Sequence, residues 1–170
     1  MNIQQSIAAL LQRDLAGFER EIALFPDDEM LWRTMPGMLN SAGNLALHVA
    51  GNLQHFVGAV LGGSAYVRDE DGEFSRRSGS KGEIVEQLQK AAVAVRIVVP
   101  NLSDEILQRD FPEVLIPNRR IQTLRFLLHL SAHASFHLGQ AGYLRRGLTG
   151  RSQSAGPVPL SVLTDPQADR

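Results

Sequence analysis

Apolar residues recur at helical spacing along nearly the whole chain, and that periodicity confines it to an all-α fold. Ile3, Ile7, Leu10, Leu11, Leu15, Phe18, Ile22 and Phe25 follow an i, i+3, i+4, i+7 pattern that Pro26 closes. A connection bearing Asp27, Asp28 and the only tryptophan, Trp32, leads to Asn40 or Ser41, either able to cap a second helix running to about Leu61. Gly62, Gly63 and the acidic run RDEDGEF read as a loop reaching Ser80. A third helix shows Ile84, Leu88, Ala91, Val95 and Val98 on one face and ends at Pro100. Pro112 and Pro117 make 101–118 irregular, with an extra turn at 103–107 and an extended piece at 113–116. The last long helix spans about 120 to 146 and is stopped by Gly147, with Arg119–Arg120 and Arg145–Arg146 marking its start and end.

Four amphipathic helices and few strand signals give a four-helix bundle with long inter-helix loops over residues 1–150. The long loops after the second and third helices leave room for a non-sequential order. Residues 151–170 form a polar tail containing proline and serine, read as mobile or as a partner-binding arm.

All five histidines fall in two of these helices: His48 and His55 in the second, His129, His133 and His137 in the last. Four residues is slightly more than one turn, so the last three imidazoles line one side of their helix. Residues four apart are separated by roughly 6 Å along the axis, within reach of one ion at bond lengths of about 2.0–2.1 Å. Residues eight apart are roughly 12 Å apart, too far for one ion. His133 is therefore the shared member, paired with His129 or His137. His48 and His55, about 10.5 Å apart, supply one further ligand between them. A lone histidine on an apolar helix face is ordinarily a hydrogen-bonded core residue. Against that, five imidazoles inside one bundle are costly to bury unpaired. Small neighbours such as Ala46, Ala50, Gly51, Ala132, Ala134 and Gly139 also leave space for an ion.

Composition narrows the chemistry. The chain has 170 residues, 44% hydrophobic, and a net charge of -1, which gives no basic surface for nucleic acid. Without a cysteine, any metal here is held by nitrogen and oxygen, and the chain offers no thiol of its own. Residue 134 is alanine, so the glutamate of a HExxH protease is missing. No apolar run is long enough to span a bilayer and the N-terminus lacks the features of a signal peptide, so no membrane partner and a cytoplasmic location are expected.

SAGNLALHVAGNLQHFVGAVLGG, then RDEDGEF, then HLSAHASFHLGQAGYLRR, preceded by Trp32 and PGMLNSAGNL, resemble the DinB-like superfamily of four-helix metalloenzymes over roughly residues 1–148. The resemblance implies a metal triad of His48, His133 and His137, the Gly139–Gln140 step choosing His137 over His129. His55 and His129 then become residues that line the pocket or support a ligand, with Asn44 and Gln140 in the same role. It implies zinc or nickel and a homodimer. Characterised relatives include thiol-dependent S-transferases and a mycothiol-dependent maleylpyruvate isomerase. The expected activity is therefore metal-assisted transfer of a low-molecular-weight thiol to a small-molecule electrophile. Metal-dependent hydrolysis, or a stress-associated module that binds metal or a small ligand without turnover, are the alternatives. Glu73 as proton acceptor and Arg68 as holder of an anionic group are further candidates, though a solvated loop glutamate and a surface salt bridge are the ordinary readings. Trp32 and Tyr143 are candidates to line the pocket.

Overall fold

The computed structural model describes residues 1–155 and 159–164. Helix α1 (Ile3–Ala23) opens on a capping box in which Asn2 and Gln5 satisfy each other's backbone N–H groups. Helix α2 (Ala42–Leu53) starts the same way from Ser41 and Asn44, so Ser41 rather than Asn40 is the cap. From Gln54 to Leu61 the helix continues with π geometry, the wider turn that interrupts α-helices most often near functional sites. Helices α3 (Glu70–Ser75), α4 (Lys81–Val98), α5 (Asp104–Gln108) and α6 (Thr123–Thr149) follow.

Helices α1, α2 (with its π extension), α4 and α6 form the bundle. Both α1 and α2 pack against α4 and against α6, while α1 and α2 barely touch each other. The first and second long helices therefore stand diagonally, as do the third and fourth, the non-sequential order that the long loops allow. The interior is filled by Leu11, Leu15, Phe18 and Ile22 from α1, Val49 and Leu53 from α2, Ile84, Leu88 and Val95 from α4, and Leu127 and Leu130 from α6. Each such side chain contributes about 1.5–3 kcal/mol by leaving water. No helix among the described residues is long and apolar enough to cross a membrane.

Five local expectations change. The RDEDGEF run is not a loop. Asp69 accepts a hydrogen bond from the Gly72 N–H and caps α3, which packs across α2. Gly147 does not stop the last helix: it lies inside, against the Met35 sulfur, and Gly150 at φ 66° ends the helix. The same helix starts at Thr123, so Arg119 and Arg120 precede it. Arg145 is no surface marker of a helix end, because it is fully buried against Glu21. The extended piece at 113–116 is absent; only isolated bridges join Asp110 to Gln122 and Ile116 to Arg119.

The chain after Gly150 returns to the bundle. Arg145 donates to the Gln153 carbonyl, the Ala155 N–H donates to Glu21, and a 3-10 turn at Leu160–Leu163 packs on α1. The rest of the predicted tail, 156–158 and 165–170, lies outside the described residues.

Candidate metal centre

His48 reaches the bundle interior from α2, and His133 and His137 face it from α6, one turn apart. His48 Nε2 lies 3.1 Å from His133 Nε2, and His137 Nε2 lies 3.0 Å from the same atom. One nitrogen from each of the three rings falls within 4.8 Å of the others, a group that could hold a metal ion. The rings of His48 and His137 both meet the His133 ring nearly edge-on.

The far nitrogens decide what the near ones can do. His48 Nδ1 is 3.0 Å from Glu73 Oε2. Arg68 clamps the Glu73 carboxylate with both arms of its guanidinium, Nε to Oε1 at 2.8 Å and Nη2 to Oε2 at 2.7 Å. Burial works against the Glu73 charge. The hydrogen bonds from Arg68 and His48, with the Arg68 charge, outweigh it and hold the carboxyl below its ordinary pKa. An ionised carboxylate only accepts, and at 3.0 Å Glu73 is a nearer partner of His48 Nδ1 than the Arg68 Nη2 donor at 3.3 Å, so His48 carries its proton on Nδ1 and turns a bare Nε2 lone pair inward. His137 Nδ1 lies 2.7 Å from Gln140 Oε1, an acceptor that leaves His137 Nε2 bare as well. Burial lowers the His133 pKa to about 4, helped by the neighbouring His137 and His48, so this ring is neutral near pH 7. Burial lowers His137 in the same direction.

Two inward lone pairs thus stand about one hydrogen-bond length from a third nitrogen, which can offer its single proton to only one of them. A cation satisfies all three. Nitrogens bound at about 2.1 Å stand about 3.0 Å apart at a right angle and about 3.4 Å at a tetrahedral angle, so the spacings of His48 and of His137 from His133 fit a divalent first-row ion. One turn beyond His48, Asn52 is buried and its Oδ1 has no hydrogen-bond partner among the described residues. An orphaned acceptor of this kind calls for an unseen donor.

The surrounding fold explains how Glu73 arrives. The Asn44 side chain makes its hydrogen bonds to Ser41, Glu73 and Arg76 rather than to a histidine. Its Oδ1 accepts from the Ser41 backbone and hydroxyl, and its Nδ2 donates to the carbonyls of Glu73 and Arg76 at 2.8 and 2.9 Å. One side chain therefore caps α2 and pins α3 across it. Gly51 makes the approach possible: a Cβ there would lie 2.0 Å from Glu73 Oε1. Phe74 covers the His48 ring at 4.7 Å.

Sequence reasoning treated Glu73 as a loop residue and Arg68 as half of a surface pair. Both are buried and they form one unit with His48. It reads Gly51 only as space for an ion, not as the gap that Glu73 fills, and it misses Phe74. A mid-helix glycine, unfavourable by about 1 kcal/mol against alanine, was the available signal for the first. His55 pairs with a different carboxylate, while the His129 ring lies beside the triad, 5.8 Å from that of His133. His55 Nε2 meets Glu113 Oε2 at 2.9 Å, and His129 is exposed and stacked on Phe126. Trp32 packs against Gly43 and donates its indole N–H to the Gly79 carbonyl, which fixes the approach to α4. Tyr143 is exposed.

The DinB superfamily model matches residues 10–141. The chain belongs to the DinB superfamily. All three histidines of the cluster lie inside the matched segment, as do Glu73, Arg68 and Gln140, so the DinB match covers the whole candidate centre. No curated protein matches the chain.

Proposed function

We propose that this DinB-superfamily chain is a divalent-metal-dependent enzyme whose ion, zinc or nickel, is held by His48, His133 and His137. Its reaction is the transfer of a low-molecular-weight thiol to a small electrophile. The observation that carries the reading is the convergence of three ring nitrogens whose outer partners, Glu73 and Gln140, leave lone pairs facing inward.

When bound, the ion supplies Lewis acidity that lowers the pKa of a coordinating thiol toward neutrality. Everything else falls to the chain. Glu73 accepts the His48 Nδ1 proton and fixes both ring orientation and tautomer. Arg68 keeps Glu73 ionised and aimed. Gln140 does for His137 what Glu73 does for His48, without a charge. Both Glu73 oxygens are engaged, so this carboxylate positions a ligand rather than accepting a substrate proton. A hydrolytic version of the chemistry would lack it as a base. With no cysteine in the chain, the sulfur nucleophile comes from a soluble thiol.

The test is metal content by mass spectrometry on protein purified without an affinity tag, with thiol-transfer assays using glutathione, bacillithiol and mycothiol. About one ion per chain, lost in His133→Ala together with transfer activity, is the expected result. Stoichiometric metal without turnover would identify a binding module. Substoichiometric metal after exposure to zinc, nickel and manganese would leave a structural bundle and end the proposal.

A further inference from the structure

Beside the histidine cluster, between α6 and the segment entering α2, runs a groove of about 640 Å³. That volume is within the range of small-molecule sites. Its walls include Met38, Leu39, Leu45, Phe136 and Tyr143, with Gln140 among the few polar side chains and no charged residue lining it among the described residues. A cavity of about 180 Å³ between α6 and α1 is the opposite in character, lined by Asp14, Arg20, Glu21 and Arg146. Three of the apolar groove's side chains are left largely in water: Leu39 is 89% exposed, Tyr143 75% and Phe136 61%. Apolar surface gathered in this way marks a place where something binds.

Two elements join the groove to the cluster. Gln140 lines it and also holds His137 Nδ1 at 2.7 Å, and Phe136 lines it while standing against the His137 ring at 5.2 Å. Leu45 lies one turn before His48 on α2. Among the described residues the charge beside the groove, the Arg146 guanidinium over the Tyr143 ring at 4.6 Å, is already paired with Glu21 at 3.8 Å, so a carboxylate or ammonium entering here would lose water and gain no free counter-ion.

We propose that this groove binds the uncharged, apolar part of the small-molecule substrate, so that the electrophile is a neutral aromatic or aliphatic compound rather than a charged metabolite. The substrate role rests on the metal-enzyme reading above. Binding in the groove does not, since no groove residue belongs to the triad.

The test uses 2-naphthol as the neutral probe and 2-naphthoate as its charged counterpart, titrated by NMR into the full chain, metal-free and zinc-loaded. Saturable one-site binding of 2-naphthol is expected, at least tenfold tighter than 2-naphthoate. Leu39→Asp and Tyr143→Asp, both at exposed positions, should each weaken it at least tenfold while zinc stoichiometry stays unchanged. Non-saturable binding, equal affinity for both probes, or wild-type affinity in the variants overturns the proposal. So does a homodimer that Tyr143→Asp dissociates and 2-naphthol does not, because a second copy would then cover the groove. Failure to bind zinc with 2-naphthol binding intact would remove the metal reading and the substrate role with it, leaving an apolar ligand site.

Discussion

Helix α6 carries two polar clusters, one toward α1 and one toward α2, and they are built on contrary principles. Toward α1, Arg145 and Glu21 form an ion pair at 2.6 Å, and the pair's remaining capacity is taken up by the backbone of Gln153 and Ala155. Toward α2, His133 and His137 meet His48 with three ring nitrogens that share a single proton between two inward lone pairs. The first cluster is closed by the chain itself. The second leaves room for an ion to complete it. Closed polar networks fix a structure, whereas convergent unsatisfied donors of one type mark a ligand.

The largest effect expected from breaking this contrast is Arg145→Ala. It leaves Glu21 buried beside a cavity, and loss of one partner of a buried pair costs about 3–5 kcal/mol. Urea denaturation should show that loss, while the folded fraction keeps its zinc. His133→Ala should do the reverse, weakening zinc binding at least a hundredfold with a far smaller change in urea midpoint of the metal-free protein. Comparable destabilisation by both substitutions would mean that the histidine cluster is also structural.

Next comes the support of His48. Glu73→Gln removes the charge that fixes the Nδ1 proton, and loss of such a partner weakens metal affinity about 10–100-fold. Gly51→Ala should act through the same atom, because its Cβ would sit 2.0 Å from Glu73 Oε1 and displace the carboxylate. Helix propensity favours alanine by about 1 kcal/mol, so weakened zinc binding without lost helicity isolates the collision. Unchanged zinc affinity in both variants would detach Glu73 from the centre.

The four long helices and the spacing of the triad were readable because both depend on period, which is a local property of sequence. Glu73 was not. Its place depends on α3 folding back over α2, which is secured by an amide from Asn44 reaching carbonyls some thirty residues later, at Glu73 and Arg76. Arg145 escaped for the same reason: two adjacent arginines at a helix end look solvated, and the partner that buries one of them sits on α1. The resemblance placed His55 and His129 near the site, and helical register alone would have kept His55 in line with His48. His55, one residue into the π segment that begins at Gln54, meets Glu113 instead.

A smaller effect follows from acid. In the folded, metal-free chain the His133 pKa is about 4, below its ordinary 6.5, and His137 is lowered in the same direction. Between those values the unfolded chain binds a proton that the folded chain refuses. Stability from this source is therefore complete above about pH 6.5 and declines as pH falls toward about 4. Melting temperature should drop over that window and do so less steeply in His133→Asn. Zinc affinity should fall in the same window, since protonation competes with the ion for the ring. A melting temperature insensitive to pH there would place the imidazoles in contact with water.

The smallest effect sharpens the contrast from its other end. His55 and Glu113 also pair at 2.9 Å, so by distance alone they rival His48 and Glu73. Burial separates them. The Glu113 side chain is 45% exposed and that of Glu73 only 6%. An exposed pair is screened by water and salt and contributes about 0–1 kcal/mol, while the buried carboxylate has no water to replace its partner. Glu113→Gln should therefore shift the urea midpoint only slightly and leave zinc affinity at the wild-type value, although the substitution is chemically the same as Glu73→Gln. A clear loss of zinc in Glu113→Gln would show that the 101–122 connection and His55 take part in the centre after all, and that the imidazole–carboxylate distance, not burial, governs which pair matters.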